Sequence, residues 1–214
     1  MRIIILFLFM LLQLLGCNNN FKKSNDIEVM SITLPYFDTP DFTPKWQQPE
    51  HKITDFLLVN QNGDSITNAT YYGKIYVANF FFTICPGICP KLESNMSVLQ
   101  DHYKNDEDIM LVSHTVMPWI DDVNQLNSYG LDHDIDKDKW HLLTGNKNEL
   151  YDLARFGYFA DGNFLKTQSE DDFIHTENFV LVDKLGYIRG VYNGTIPLDI
   201  KRLIRHITRL KKSS

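Results

Sequence analysis

Two cysteines four positions apart, in Phe82-Thr83-Ile84-Cys85-Pro86-Gly87-Ile88-Cys89-Pro90, are the residues of this 214-residue chain best suited to chemistry. An ionised thiol is both a nucleophile and a metal ligand, so a close pair can be a disulfide, a redox couple or part of a metal site. The spacing leans toward metal. Residues i and i+4 of a helix hold their Cβ atoms about 5–6 Å apart, whereas a disulfide wants about 3.5–4.5 Å. A metal bonded to both sulfurs spans further than one S–S bond. Pro86-Gly87 can bend a first turn enough to close a disulfide, so both outcomes stay open. Two thiolates alone leave a metal under-coordinated, and histidine is the natural further donor. Seven are available. His51, His102, His133 and His206 fall in segments that read as surface, and His141, inside a strand, reads as packed or paired. His114, at the end of a buried strand, and His175, in a loop before another strand, remain as candidates.

The neighbouring elements decide what such a pair can do. Ile75–Phe82 is a continuous apolar, β-prone run, which suits a central strand buried on both faces. Leu92, Met96, Leu99 and Tyr103 follow at helical spacing and predict a helix up to about Lys104. The cysteines therefore sit where a strand's C-terminal end meets a helix N-terminus, the place where open α/β folds build sites. There the helix dipole and free N–H groups stabilise a thiolate.

Along the rest of the chain, Asp55–Thr67 predicts two short strands joined at Asn62-Gly63. Ile109–His114 and Trp140–Leu143 read as strands, and Asp121–Tyr129 as a helix. Asn146–Phe156 reads as a helix capped by Asn146 and closed at Gly157. Asn178–Asp183 and Tyr187–Tyr192 form a hairpin. Leu198, Leu203, Ile204, Ile207 and Leu210 make an amphipathic closing helix whose Lys and Arg residues read as a solvated face and a favourable C-terminal charge, not a binding patch. This alternation predicts an α/β domain, a central mixed sheet flanked by helices with an N-terminal β-hairpin.

The N-terminus carries a different message. Arg2 precedes an apolar run, Ile3–Leu15, shorter than the ~20 residues a spanning helix needs. It ends in Leu14-Leu15-Gly16-Cys17 and resembles the lipobox of bacterial lipoproteins, in which the signal is cut before a cysteine that then carries lipid. Residues 1–16 are accordingly read as a signal and 17–49 as a lipidated Cys17 with a polar, proline-rich tether, including a short edge strand near Ser31–Leu34. Residues 50–212 are read as the domain. It is expected on the cell membrane, facing the periplasm or the cell exterior. Stray thiols oxidise in such compartments. With Cys17 spent on lipid, only the Cys85/Cys89 pair is left, as in a chain that uses it. A net charge of −6 argues against a nucleic-acid partner.

Taken together, Gly73-Lys74, Asn79–Thr83, Cys85-Pro-Gly-Ile-Cys89-Pro90, Trp140–Gly145, His175-Thr176 and Leu181–Gly186 give a chain that resembles the Sco/SenC family of copper-binding proteins. That family is associated with maturation of the CuA centre of cytochrome c oxidase. The resemblance implies a thioredoxin-like fold and copper held by Cys85, Cys89 and His175. It also implies a copper donor, and a recipient in cytochrome c oxidase subunit II. It favours a metallochaperone, which is a carrier and not a catalyst. The alternative is a thiol–disulfide oxidoreductase that reduces cysteines of a copper-site partner. Against pure redox work stand the three-residue spacer and the lack of a proline near Ile174-His175. A third reading, a domain merely stapled by one disulfide, gains little from so short a loop. This chain departs from the family in two places. An Asp-Pro-x-x-Asp stretch becomes Met117-Pro118-Trp119-Ile120-Asp121, leaving Asp121 as the surviving acid, and an Asp-His pair becomes Ile174-His175.

Overall fold

The computed structural model describes residues 33–161 and 176–213; the signal, Cys17 and His175 lie outside the described residues. The frame is set by Ile75–Phe81, which has no charged side chain and is buried along its whole length. Such a strand needs cover on both faces. It forms β3 of a seven-stranded sheet made with β1 (Leu57–Asn60), β2 (Ser65–Thr67), β4 (Ile109–Thr115), β5 (Trp140–Thr144), β6 (Asn178–Val182) and β7 (Ile188–Asn193). The spatial order is β2-β1-β5-β4-β3-β6-β7. β3, β4 and β5 run parallel. The β1–β2 hairpin, its edge on β5, and β6–β7 pair antiparallel. The α/β class, mixed sheet and N-terminal hairpin are those expected.

Alternation along β3 divides the core. Ile75, Val77 and Phe81 face Leu92, Met96 and Leu99 of α2 (Cys89–Tyr103), Leu126 of α3 (Val123–Asp132), and Leu203 and Ile207 of α5 (Pro197–Ser213). Tyr76, Ala78 and Phe80 face Tyr71 of α1 (Asn68–Tyr71) and Leu150 and Tyr151 of α4 (Lys147–Asp152). Three polar side chains inside the sheet satisfy one another: Trp140 Nε1 donates to Ser113 Oγ (2.8 Å), which donates to Asn79 Oδ1 (2.5 Å). Unpaired, each would cost about 1–3 kcal/mol.

Three details differ from the sequence reading. α1 is a single turn, too short to show a period, and is held by a Thr67–Thr70 capping box. The helix over 146–156 is two pieces. Asn146 caps α4 as expected, accepting from the Asn148 and Glu149 N–H groups, but Leu153–Gly157 is a π turn closed by Tyr158 N–H on the Leu153 carbonyl (3.0 Å). The stretch read as the end of the tether also packs. Leu34 is buried in the core and Phe37 N–H donates to the Ile188 carbonyl (3.0 Å). The only pairing in this part of the described chain is one bridge, Tyr36 to Lys45. Arg189 holds this entry segment. It donates to the Pro35 (3.1 Å) and Leu34 (2.5 Å) carbonyls, lies over the Tyr36 ring, and is neutralised by Asp183 at 2.9 Å.

Candidate metal centre

β3 delivers the chain to the edge of the sheet at Phe81, and the next eight residues make the site. Cys89 is the first residue of α2, with Pro90 in the first turn, where its missing N–H costs nothing. Cys85 is not on that helix. It lies in the preceding turn, its N–H on the Phe82 carbonyl (3.3 Å), so the pair is one loop residue and one helix residue, unlike the single helical turn assumed from spacing. Pro86-Gly87 makes this turn, and a Cβ on Gly87 would stand 3.9 Å from Cys85 Sγ.

The two sulfurs are not bonded to each other and differ sharply. Cys89 is buried, and Cys85 is partly open. Burial raises the Cys85 pKa somewhat. Hydrogen bonds from the Cys89 thiol and from the Cys89, Gly87 and Ile88 backbone N–H groups outweigh that and bring it below the ordinary thiol value. Cys89 is pushed up to about 12, first by burial, then by its hydrogen bond to Cys85 and by the negative charges of Cys85 and Asp121. The accessible sulfur therefore ionises more readily than an ordinary thiol, while its neighbour holds its proton and donates to it. Free N–H groups at a helix start produce this effect.

Asp121 anchors the loop from the other side. Its fully buried carboxylate accepts from Thr83 N–H (3.3 Å) and Thr83 Oγ1 (2.5 Å), and from the Thr115 hydroxyl. Gln125 Nε2 donates to Thr83 Oγ1 (3.1 Å), and Met117 N–H to Thr115 Oγ1 (3.0 Å). The end of β3, the end of β4 and the start of α3 thus close on one carboxylate. Thr83 was picked out from sequence only as part of the motif, and Thr115 was missed, because a threonine in a strand signals only β propensity.

Between these supports lies a cavity of about 320 Å³, lined chiefly by Phe80–Phe82, both cysteines, Ile88, Val116 and Thr176. Among the described residues, no third His, Asp or Glu joins the cysteines in a metal-binding cluster. His114 does not line the cavity. It is fully buried on the Phe80 face of the sheet, stacked on Phe80 (ring centroids 5.1 Å) and tilted against Tyr158 (5.2 Å). His141 is paired with Tyr71 Oη (2.8 Å) and His206 with Tyr192 Oη (2.7 Å).

Comparison with known proteins points one way. The sequence model of the SCO1/SenC family matches residues 44–212. A SCO1 protein homolog of Bacillus subtilis (strain 168) is 30% identical over 146 residues, covering 67% of this chain and 75% of that protein. A SCO1/SenC family lipoprotein from Bacillus anthracis superposes with a TM-score of 0.65 at 27% identity, over 77% of this chain and 98% of that one. BsSco, in which a disulfide switch was identified and which is a member of the Sco family of cytochrome c oxidase assembly proteins, superposes with a TM-score of 0.64 at 25% identity, over 77% and 96%. The sheet and its covering helices are the thioredoxin-like arrangement of those structures.

Proposed function

We propose, because this chain belongs to the SCO1/SenC family, that its domain carries copper outside the cytoplasm. In this reading Cys85, Cys89 and His175 hold the ion and release it to the CuA site of cytochrome c oxidase subunit II, and lipid on Cys17 keeps the protein at the membrane. The carrying observation is the pair of unlike thiols opening into an apolar cavity that Thr176 lines. Residue 175 is one peptide unit, about 3.8 Å between Cα atoms, from that lining residue. Thiolate donors favour Cu(I) and imidazole suits both copper states. Three donors leave a position through which a recipient's ligand can enter, so copper passes by exchange. Oxidising the cysteines to a disulfide removes two donors and releases the ion.

A thiol–disulfide role at the same site has its own support in the asymmetry of the two thiols and in the disulfide switch of the related BsSco. The Cys85 thiolate attacks a partner disulfide, forming a mixed disulfide and freeing one partner thiolate. Cys89 loses its proton and displaces the second, leaving a Cys85–Cys89 disulfide and a reduced partner. The discriminating experiment is competition titration of reduced protein with Cu(I), on wild type and His175→Ala. Wild type should bind one copper per chain. Loss of a ligand should weaken binding at least as much as the 10- to 100-fold typical of losing a ligand's supporting hydrogen bond, while the disulfide still forms on oxidation. Reduced wild type that ignores Cu(I) refutes the copper reading. Unchanged affinity in the variant removes His175 from it.

A further inference from the structure

We infer that the outer face of α5 docks on the anionic surface of a phospholipid bilayer, with the cysteine cavity left at the end of the domain where α5 begins. The inference rests on the membrane anchoring proposed above and not on copper binding. α5 holds six Lys and Arg residues against a single acid, Asp199, in a chain whose net charge is −6. Its buried side is Ile200, Leu203, Ile207 and Leu210. At about 100° per residue, Lys201, Arg202, Arg205, Arg209 and Lys212 fall within an arc of roughly 100° opposite that side. All five are exposed. Arg202 leans on Asp199 (3.2 Å) and the Tyr192 ring; Lys201, Arg205, Arg209 and Lys212 have no ion-pair partner among the described residues. The solvated face expected from sequence is thus a concentrated cationic stripe on an otherwise acidic molecule.

What covers this stripe follows from where the tether enters. Residues 34 and 35 are gripped by Arg189, and Pro35, Phe37, Arg202 and His206 border one cavity of about 170 Å³. The chain coming from the N-terminal anchor therefore joins the domain along the flank of α5. Residues 17–33 reach at most roughly 50–60 Å when extended, so the anchor confines this flank near the bilayer and raises its effective concentration there. The same end of the molecule carries Trp46, 48% exposed beside the Tyr36–Lys45 bridge. Aromatic residues of this kind favour the membrane–water boundary. The cavity lies at the other end. Tyr76, at the start of β3, pairs with Val182, which pairs with Ile188 beside the entry segment, whereas Cys85 follows the far end of β3. Lys211 meets Asp106 (2.5 Å) just before β4 begins, so α5 finishes at the entry end; it begins at the cavity end, where Gly194 N–H donates to the Glu177 carbonyl (2.7 Å) beside Thr176. Since the chain outside α5 is net acidic, an anionic surface draws the α5 face in preference to the rest.

The test uses the full, lipidated chain in vesicles of phosphatidylcholine alone, or with one third phosphatidylglycerol. Acylation of Lys201 and Lys212 by a neutral amine reagent is mapped by mass spectrometry, with Lys91, exposed next to the cysteine end, as internal control. Lys201 and Lys212 should react several-fold more slowly on the phosphatidylglycerol vesicles while Lys91 does not change. The protection should vanish in 1 M salt, where the screening length falls to about 3 Å. Arg205→Glu/Arg209→Glu should abolish it, since each cationic residue near such a surface contributes about fivefold to binding. Equal reactivity on both membranes, with the chain still floating with the vesicles, overturns the docking and leaves the anchor standing. A chain that does not float refutes the anchoring and the docking with it. Protection in native membranes but not on phosphatidylglycerol vesicles assigns the stripe to an acidic protein and also overturns the proposal.

Discussion

Replacing His114 by Leu should make the protein markedly less sensitive to acid. The ring is 0% exposed and, among the described residues, neither nitrogen makes a hydrogen bond of ordinary geometry. Burial holds its pKa down at about 4, only slightly relieved by the Asn79 backbone, against an ordinary 6.5. Above pH 6.5 the imidazole is neutral in folded and unfolded chains alike, and its contribution is constant. As pH falls from 6.5 toward 4, the unfolded chain takes up a proton that the folded one refuses, so stability declines. A difference of roughly 2.5 units at 1.36 kcal/mol each amounts to about 3 kcal/mol. At pH 7.5 the variant should unfold in urea close to wild type. The unpaired nitrogens it removes cost about 1–3 kcal/mol, set against stacking on Phe80 and Tyr158 worth about 0.5–1.5 kcal/mol per aromatic pair. By pH 4.5 the variant should be ahead by a further 2–3 kcal/mol or so. Urea midpoints of the reduced proteins at four pH values between 7.5 and 4.5 provide the measurement. Carboxylates such as Asp106, and His141 and His206, titrate in both proteins and cancel in the difference. Parallel stability curves for the two proteins would show that proton refusal at His114 does not govern acid unfolding.

Two further outcomes follow from the loop that carries the cysteines. Because Cys85 lies below the ordinary thiol range and Cys89 at about 12, iodoacetamide at pH 7 should modify Cys85 first and Cys89 much more slowly. Peptide mapping after brief labelling checks this, and equal labelling of the two contradicts the asymmetry. Asp121→Ala leaves the Thr83 N–H and the Thr83 and Thr115 hydroxyls without their acceptor. It should cost about 2–4 kcal/mol in denaturant unfolding of the reduced protein, and a loss below about 1 kcal/mol would mean that water replaces the carboxylate.

Much of the frame could be read from residues in sequence because its signals are local. The unbroken apolar run of β3, the 3.6-residue spacing of α2 and α5, and Asn146 ahead of α4 are each set by a few neighbours, and the structure keeps them all. α1 and the π turn after Asp152 escaped because one turn has no period, and because an extra residue in a helix is decided by what it packs against. The packed entry segment escaped for a related reason. Leu34 belongs to the core through Arg189, more than 150 positions away.

The residue types fixed the chemistry available here: two thiols close in sequence, at a strand end. Folding alone made those thiols unequal, since a pKa answers to burial and to donors that the chain brings from Gly87, Ile88 and the start of α2. Folding likewise set Asp121 under Thr83 and buried His114 away from the cavity. It also placed a basic helix beside the segment that Arg189 grips. Each of these is a contact between segments distant along the chain, and such contacts exist only once the sheet has assembled.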